Sequence, residues 1–267
     1  MNFAVLSYKL RKKFLKEKIY QSYAEASANC SDKLYENKEI VHLVASKANN
    51  LVSNHKPINP GALAILELAN KIYIQQPDTP ITVIDFGGGD GDYYHTTRLL
   101  LSSFIKMKWI VVETPAMTAA MQANQTQELF FVSSLEKALE IANKVNIVFT
   151  SGTIQYTPDP QQTVTDLCKV QADYLVFNRQ SLSEETFNII SIQSSPLSWH
   201  GSGSTLPDAF TEKIVRYPHT SLKRELFEQT LRTNNYHIVY TFAESTGIKK
   251  VNNLQISGIS YVCKRNA

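Results

Sequence analysis

Hydrophobic positions in the first fifth of the chain recur every three or four residues. Residues 23–28 and 40–51 show this rhythm and lack the alternation of a strand. The pattern predicts helices across residues 1–55. A turn follows at 54–61, where Pro57 and Pro60 lie, then a helix over 62–74 that stops before Pro77 and Pro80. The rhythm then shortens. Residues 81–86, 108–113, 129–132, 145–151 and 174–178 are compact β-rich runs. Helical stretches separate several of them, one running from Pro115 to Asn124 and one over 160–169. Strands alternating with helices predict an α/β fold with a parallel sheet covered on both faces. After a predicted helix at 222–232 come two strands, 237–242 and 256–263, joined only by a loop, which implies an antiparallel hairpin. Between them and the parallel part lies the Ser- and Gly-rich segment 181–221, predicted as an irregular insertion, either a lid or substrate loop or a disordered surface loop. The expected division is a helical extension over 1–60 and one α/β domain over 61–267.

Composition narrows this picture. The 43% of hydrophobic residues among 267 can bury a sizeable core, and 19% charged residues is too few for a disordered chain. A formal charge of +3 gives no reason to expect nucleic acid as a partner. Cys30, Cys168 and Cys263 are widely spaced and form no CxxC pair, as expected of a protein of the reducing cytoplasm. No run is long enough to span a bilayer, and the short apolar start precedes its basic run, the reverse of a secretory signal. Lys9, Arg11, Lys12, Lys13, Lys16 and Lys18 interleave with Leu6, Leu10 and Phe14 at helical spacing. That helix is expected to pack its apolar stripe on the protein itself, an anionic membrane surface being the alternative.

The chemistry gathers where the first strand meets its helix. There the chain reads Asp85-Phe86-Gly87-Gly88-Gly89-Asp90-Gly91-Asp92. Ligands of open α/β sheets bind at this carboxyl edge, and glycines let the backbone turn tightly beside them. The dinucleotide pattern G-x-G-x-x-G is not met, because Asp92 stands after Gly91, and three carboxylates would repel a pyrophosphate. S-adenosylmethionine has no phosphate and carries an ammonium and a sulfonium. Glu113, at the end of the second strand, can accept from both hydroxyls of a ribose.

Asp85 to Gly91, Glu113 and the terminal hairpin resemble class I S-adenosylmethionine-dependent methyltransferases. More narrowly, the chain resembles a family of bacterial methyltransferases often encoded among surface-polysaccharide genes. The resemblance rests on Ser22-Tyr23-Ala24-Glu25-Ala26, residues 35–40, Asp85-Phe86-Gly87-Gly88-Gly89 with Tyr94, and Trp109-Ile110-Val111-Val112-Glu113. It extends to Ser151-Gly152-Thr153-Ile154-Gln155-Tyr156 and Arg179. It implies a Rossmann-like sheet of seven strands whose last runs antiparallel. It also implies a cofactor site of Asp85, Gly87, Gly88, Gly89, Gly91, Tyr94, Glu113, Ser133, Ser134 and Ser151. In that site Ser133 and Ser134 lie by the adenine, Ser151 by the methionine part, and Asp85 by its amino group or under the loop. The chain departs from the family pattern at Asn178, where an Asp is usual, and after Tyr217-Pro218, where His219 and Thr220 replace an aromatic residue.

The implied reaction moves a methyl group to a hydroxyl or amine of a small or sugar-like acceptor. A hydroxyl acceptor usually needs a base. His219 and His200 are the candidates by residue type, with His219 preferred because it follows a stiff Tyr-Pro pair. Tyr156, Asn178, Arg179 and Tyr217 are candidates to orient the acceptor. His95 opens the helix after the glycine loop and is expected to cap or pack there. His42, His55 and His237 have no partner pattern, and no HxxxH, CxxC or clustered-carboxylate motif points to a metal. The rival readings are an inactive methyltransferase fold kept for binding and, less favoured, an NAD-dependent oxidoreductase.

Overall fold

The computed structural model describes residues 17–30, 38–48, 58–203, 205–243 and 248–266. The predicted basic helix up to Lys16, together with His55, Pro57 and Ser204, lies outside the described residues.

Helix α1 (Tyr23–Ala28) begins at Ser22, whose hydroxyl accepts from the Glu25 amide. Helix α2 (Lys38–Ala48) buries Ile40, Val41, Leu43 and Val44, and also Lys47. Helix α3 (Pro60–Gln75) starts at Asn59, whose side chain accepts from the Gly61 amide, with proline in the first turn, where its missing N–H costs nothing. The alternating part follows as β1 (Ile81–Phe86), α4 (Asp92–Leu100), β2 (Met107–Val112), α5 (Pro115–Met121), β3 (Leu129–Val132), α6 (Leu135–Ile141), β4 (Ile147–Ser151), α7 (Pro160–Lys169) and β5 (Tyr174–Ser183). The chain ends with β6 (Ile189–Pro196), β7 (Ile214–Lys223), α8 (Arg224–Thr233), β8 (Tyr236–Phe242), β9 (Ile248–Val251) and β10 (Leu254–Arg265).

The main path of the sheet is β3-β2-β1-β4-β5-β10-β8. The first five strands are parallel, and β10 enters antiparallel between β5 and β8. This is the expected Rossmann-like sheet of seven strands with its antiparallel final strand. Three further strands attach to it: β7 beside β5, β6 beside β7, and β9 beside β10. Side chains alternate across the sheet as the pleat requires. Val83, Val111, Phe149 and Val176 point into a core shared with α2 and α3, where Ile65 and Leu68 are buried. Ile84, Ile110, Val148 and Phe177 point into a second core with Val164 of α7 and Phe227 of α8. Burial on both faces explains why these strands read as continuous apolar runs. Among the described residues no helix is long and apolar enough to cross a membrane.

The segment 181–221 is not the irregular insertion expected. Ser181 and Ser183 belong to β5, and β6 pairs antiparallel with β7 from Ile189↔Ser221 to Pro196↔Ile214. Local composition argues for loop here, but ladder pairing overrides it, and the serine hydroxyls find partners. Ser181 bonds Ser221, and Ser195 bonds Tyr217, each at 2.7 Å. Among the described residues between the two strands, 197–203 and 205–213 form no strand. The helix predicted from residue 222 starts at Arg224, because Leu222 still pairs with Leu182 of β5.

Candidate functional site

A cavity of about 860 Å³ opens at the carboxyl ends of the parallel strands, a size that fits a nucleoside-type ligand beside a small second molecule. Its floor is the glycine loop. Gly87 has φ of +72°, and a Cβ there would sit 2.2 Å from Thr153, so only glycine fits. Gly89 also has a positive φ, +58°, but an added Cβ would find nothing nearer than Val44 at 3.9 Å. Its face is open to the cavity. Gly88 lies on the Asp85 carboxylate. Gly91 does not line the cavity; it starts α4 and sits against Leu129 and Phe131.

Glu113 follows β2 and is tied to this loop. One of its oxygens accepts from the Gly89 amide at 3.0 Å and the other from the Thr114 amide at 2.9 Å. Burial pushes its carboxyl up, and the two amides pull it back down. Each carboxylate oxygen has a second lone pair, so these bonds leave acceptor capacity toward the cavity. Asp85, at the end of β1, is buried. The Trp109 indole donates to one of its oxygens at 3.1 Å, and the other has no hydrogen-bond partner among the described residues. Burial pushes its carboxyl up to about 8, with Glu113 and Asp90 adding to the rise. Gln155 likewise keeps a buried oxygen without such a partner. Both residues line the cavity. Buried polar atoms of this kind are normally satisfied, which makes both residues candidates to meet a ligand.

Ser133 and Ser134 line the same end, beside Glu113 and Met117. Ser134 also caps α6 by accepting from the Lys137 amide at 3.3 Å. Tyr94 is placed elsewhere than expected. It turns into the core, edge-on to Trp109, with its hydroxyl on Glu128 at 3.1 Å, and it does not line the cavity. The preceding residue, Tyr93, does line it and shares a 2.7 Å bond with Ser151. Helix phase explains the difference, since neighbours on a helix point about 100° apart and the apolar core takes Tyr94.

At the far end Ser151 closes β4. Its hydroxyl accepts from Asn178 at 3.1 Å and from Arg179 Nε at 3.0 Å. Arg179 adopts φ of +53°, in the left-handed region. Ile259 pairs with Gln180 and Tyr261 with Phe177, so Ser260 alone faces both Asn178 and Arg179. This is a β-bulge, a device that re-aims a side chain. The Ser260 hydroxyl ties it down by accepting from the Arg179 amide at 3.0 Å and donating to Asn178 at 2.8 Å.

The remaining wall comes from β6, β7 and the helical turn after β4. The Tyr156 hydroxyl donates to Gln193 at 3.1 Å, and the Gln193 amide donates to the Tyr217 hydroxyl at 3.4 Å. Ser195 bonds both Tyr217, at 2.7 Å, and His200 Nε2, at 3.1 Å. Burial pushes the Tyr156 phenol up, and the nearby Arg179 charge partly opposes it. Burial, with the Lys47 charge, lowers His200 to about 4, so its ring is neutral at neutral pH. His219 does not line the cavity. Strand β7 places it edge-on against Tyr156, with ring centroids 5.4 Å apart, so of the two candidate histidines only His200 reaches the site.

Helices α1 and α2 close the cavity with Tyr23, Ile40 and Val44. Lys47 of α2 is buried and donates to the carbonyls of Ser198, His200 and Gly203 at 2.8, 2.7 and 3.1 Å. It thereby holds the turn carrying His200 against the helix. Among the described residues no cluster of His, Cys, Asp or Glu has the makeup of a metal site.

Composition alone gave no signal for Tyr93, Gln193, Ser195 or Lys47. Tyr93 is hidden by its neighbour Tyr94. Gln193 and Ser195 stand on a strand whose serines resemble a loop, and a buried lysine reads as a surface one. The signal within reach was the alternation of Ile190, Ile192 and Ser194 with Ser191, Gln193 and Ser195.

No family model matches the chain, and no curated protein matches it. Among solved structures it is similar to an amino pentose methyltransferase from Micromonospora echinaspora involved in calicheamicin biosynthesis. The two share 14% identity over 84% of this chain and 97% of that one, with a TM-score of 0.49. A sugar N-methyltransferase from Streptoalloteichus sp shares 13% identity over 79% and 89% of the two chains, with a TM-score of 0.47. An S-adenosylmethionine-dependent methyltransferase from Clostridium acetobutylicum shares 10% over 76% and 91%, with a TM-score of 0.45.

Proposed function

We propose that this cavity binds S-adenosylmethionine and that the protein transfers its methyl group to a hydroxyl or amine of a small, sugar-like acceptor. The observation that carries the reading is the junction of Gly89 and Glu113. A half-buried carboxylate is fixed on a loop amide, beside a glycine whose open face admits a ligand, at the carboxyl edge of the sheet. The cavity's charge agrees with a cationic cofactor. Asp85, Asp90, Asp92 and Glu113 line it, and Arg179 is the one Lys or Arg among its described lining residues. A pyrophosphate would meet the acids Asp90, Asp92 and Glu113, which disfavours a dinucleotide even with Asp85 held mostly protonated at neutral pH.

In this reading Glu113 takes the ribose hydroxyls and Ser133 and Ser134 flank the adenine. Asp85, Tyr93 and Ser151 stand toward the methionine part. The bound cofactor supplies an electrophilic methyl group on a sulfonium. The chain's own contribution is then to hold the acceptor in line, which is worth roughly 7–11 kcal/mol in favourable cases. Tyr156, Gln193, Ser195 and Tyr217 offer hydroxyls and an amide that suit a polyhydroxylated acceptor. His200, neutral at pH 7, presents a ring nitrogen to Ser195 and orients that wall. His219 supports Tyr156 by packing.

Titration calorimetry with S-adenosylhomocysteine and with NAD tests the proposal. The expected result is binding of the first and none of the second. Glu113→Ala is expected to weaken binding about tenfold or more, as loss of a charge-assisted hydrogen-bond pair implies. Gly89→Val is expected to abolish it in a folded protein. Normal affinity in both variants would refute the site assignment.

A further inference from the structure

We propose that the acceptor carries a negatively charged oxygen group, a carboxylate or a phosphate, and that Arg179 binds it. The inference rests on the methyltransferase reading for the word acceptor, but its own support is the geometry around residue 179.

A strand residue in this position belongs to the sheet. Asn178 before it and Gln180 after it are buried, whereas Arg179 is exposed and lines the cavity. It reaches the cavity through the bulge opposite Ser260 and a left-handed backbone that any side chain other than glycine adopts at a cost. Regular pleating would send Asn178 and Arg179 to opposite faces. The distortion instead brings both to one place, and Ser260 is spent on holding it. Positioning Ser151 does not explain the arrangement, because Asn178 already donates to that hydroxyl. A neutral donor would serve there equally well, and the arginine brings a full charge.

The charge also has a direction. The cavity's carboxylates all come from the glycine loop and the ends of β1 and β2. The groups around the acceptor wall, Tyr23, Tyr156, Gln193, Ser195 and Tyr217, are uncharged, and His200 is neutral at neutral pH. The guanidinium lies against Gly152, at the start of the turn after β4 that carries Tyr156, which places it on that side. Arg179 uses Nε and Nη2 on Ser151, at 3.0 and 3.3 Å, which fixes the plane of the guanidinium. A guanidinium has five N–H donors in a rigid fork suited to carboxylate or phosphate. A fixed guanidinium on an uncharged wall therefore selects for an anionic group, and the hydroxyl and amide partners around it suit the rest of a polar acceptor.

The test uses the full chain loaded with S-adenosylhomocysteine. Calorimetric titrations with D-glucuronate, D-glucose 1-phosphate and D-glucose are compared for the native protein, Arg179→Gln and Arg179→Lys. At least one anion is expected to bind about tenfold more tightly than glucose, a preference that Arg179→Gln abolishes and Arg179→Lys restores in part. Preference for glucuronate assigns a carboxylate, and preference for the phosphate ester assigns a phosphate. In Arg179→Gln the loss of anion affinity is expected to exceed any loss of S-adenosylhomocysteine affinity, which can follow from the broken contacts to Ser151. Equal binding of glucose and both anions, or an anion preference that survives Arg179→Gln, overturns the proposal. So does a loss of S-adenosylhomocysteine affinity in Arg179→Gln larger than the loss of anion affinity, which would give the arginine to the cofactor. Repeating the titrations without S-adenosylhomocysteine separates the two readings. Anion preference in a protein that never binds S-adenosylhomocysteine would keep the Arg179 site and reject the methyltransferase.

Discussion

Asn178 and Arg179 are consecutive residues of one strand, yet both donate to the hydroxyl of Ser151, at 3.1 and 3.0 Å. The bulge opposite Ser260 makes this possible, and the backbone of Arg179 bears the strain at φ of +53°. Left-handed backbone costs an L-residue about 1–2 kcal/mol, and glycine is exempt. Both Arg179→Gly and Arg179→Ala remove the guanidinium, so their difference isolates the strain. Chemical denaturation is expected to show the glycine variant about 1 kcal/mol more stable than the alanine variant. Equal stability, or a more stable alanine variant, would mean the bulge is not strained.

Lys47 joins α2 to the turn that carries His200. Replacing it with methionine keeps much of the side chain's bulk and removes the ammonium from three carbonyls. Hydrogen bonds to a charged group contribute about 1.5–3 kcal/mol, so Lys47→Met is expected to lower stability by about 2 kcal/mol. Hydrogen exchange should quicken in residues 197–203 more than in β1 or β4. Unchanged exchange in the turn would show that other contacts hold it.

Burial lowers His200 from 6.5 to about 4. The unfolded chain then binds more protons than the folded one between those values, so stability rises with pH across the window. This contribution is fully present above pH 6.5 and is lost as pH falls toward 4. Its size is about 3 kcal/mol from a shift of this magnitude. His200→Gln should flatten this part of the stability profile. An identical slope in native and variant proteins would assign the acid sensitivity to other groups.

Periodicity carried the parallel strands and their helices because residues such as Ile84, Val148 and Val176 are buried on both faces and leave an uninterrupted apolar trace. The glycine loop and Glu113 were legible because backbone constraint and charge both act within a few residues. Strand β6 was not, since Ser191, Ser194 and Ser195 favour loops in isolation and only pairing with β7 makes them a strand. The same long-range pairing concealed part of the acceptor wall: Tyr217 stood out as a candidate, but Gln193 and Ser195, which meet it across two strands, did not. His219 was favoured over His200 on the stiffness of Tyr217-Pro218, yet register, which the local sequence does not encode, turns it against Tyr156. Tyr94 and Tyr93 differ by a single step of helix phase, too fine for pattern reading.

The central claim is that the cavity between the glycine loop and Glu113 holds S-adenosylmethionine, with the acceptor on the side of Arg179 and Tyr156. A crystal structure with S-adenosylhomocysteine measures this directly. The ribose hydroxyls are expected within hydrogen-bond distance of Glu113, the adenine beside Ser133 and Ser134, and the sulfur facing the wall of Tyr156 and Arg179. A ligand bound elsewhere, or one whose ribose turns away from Glu113, would contradict the account.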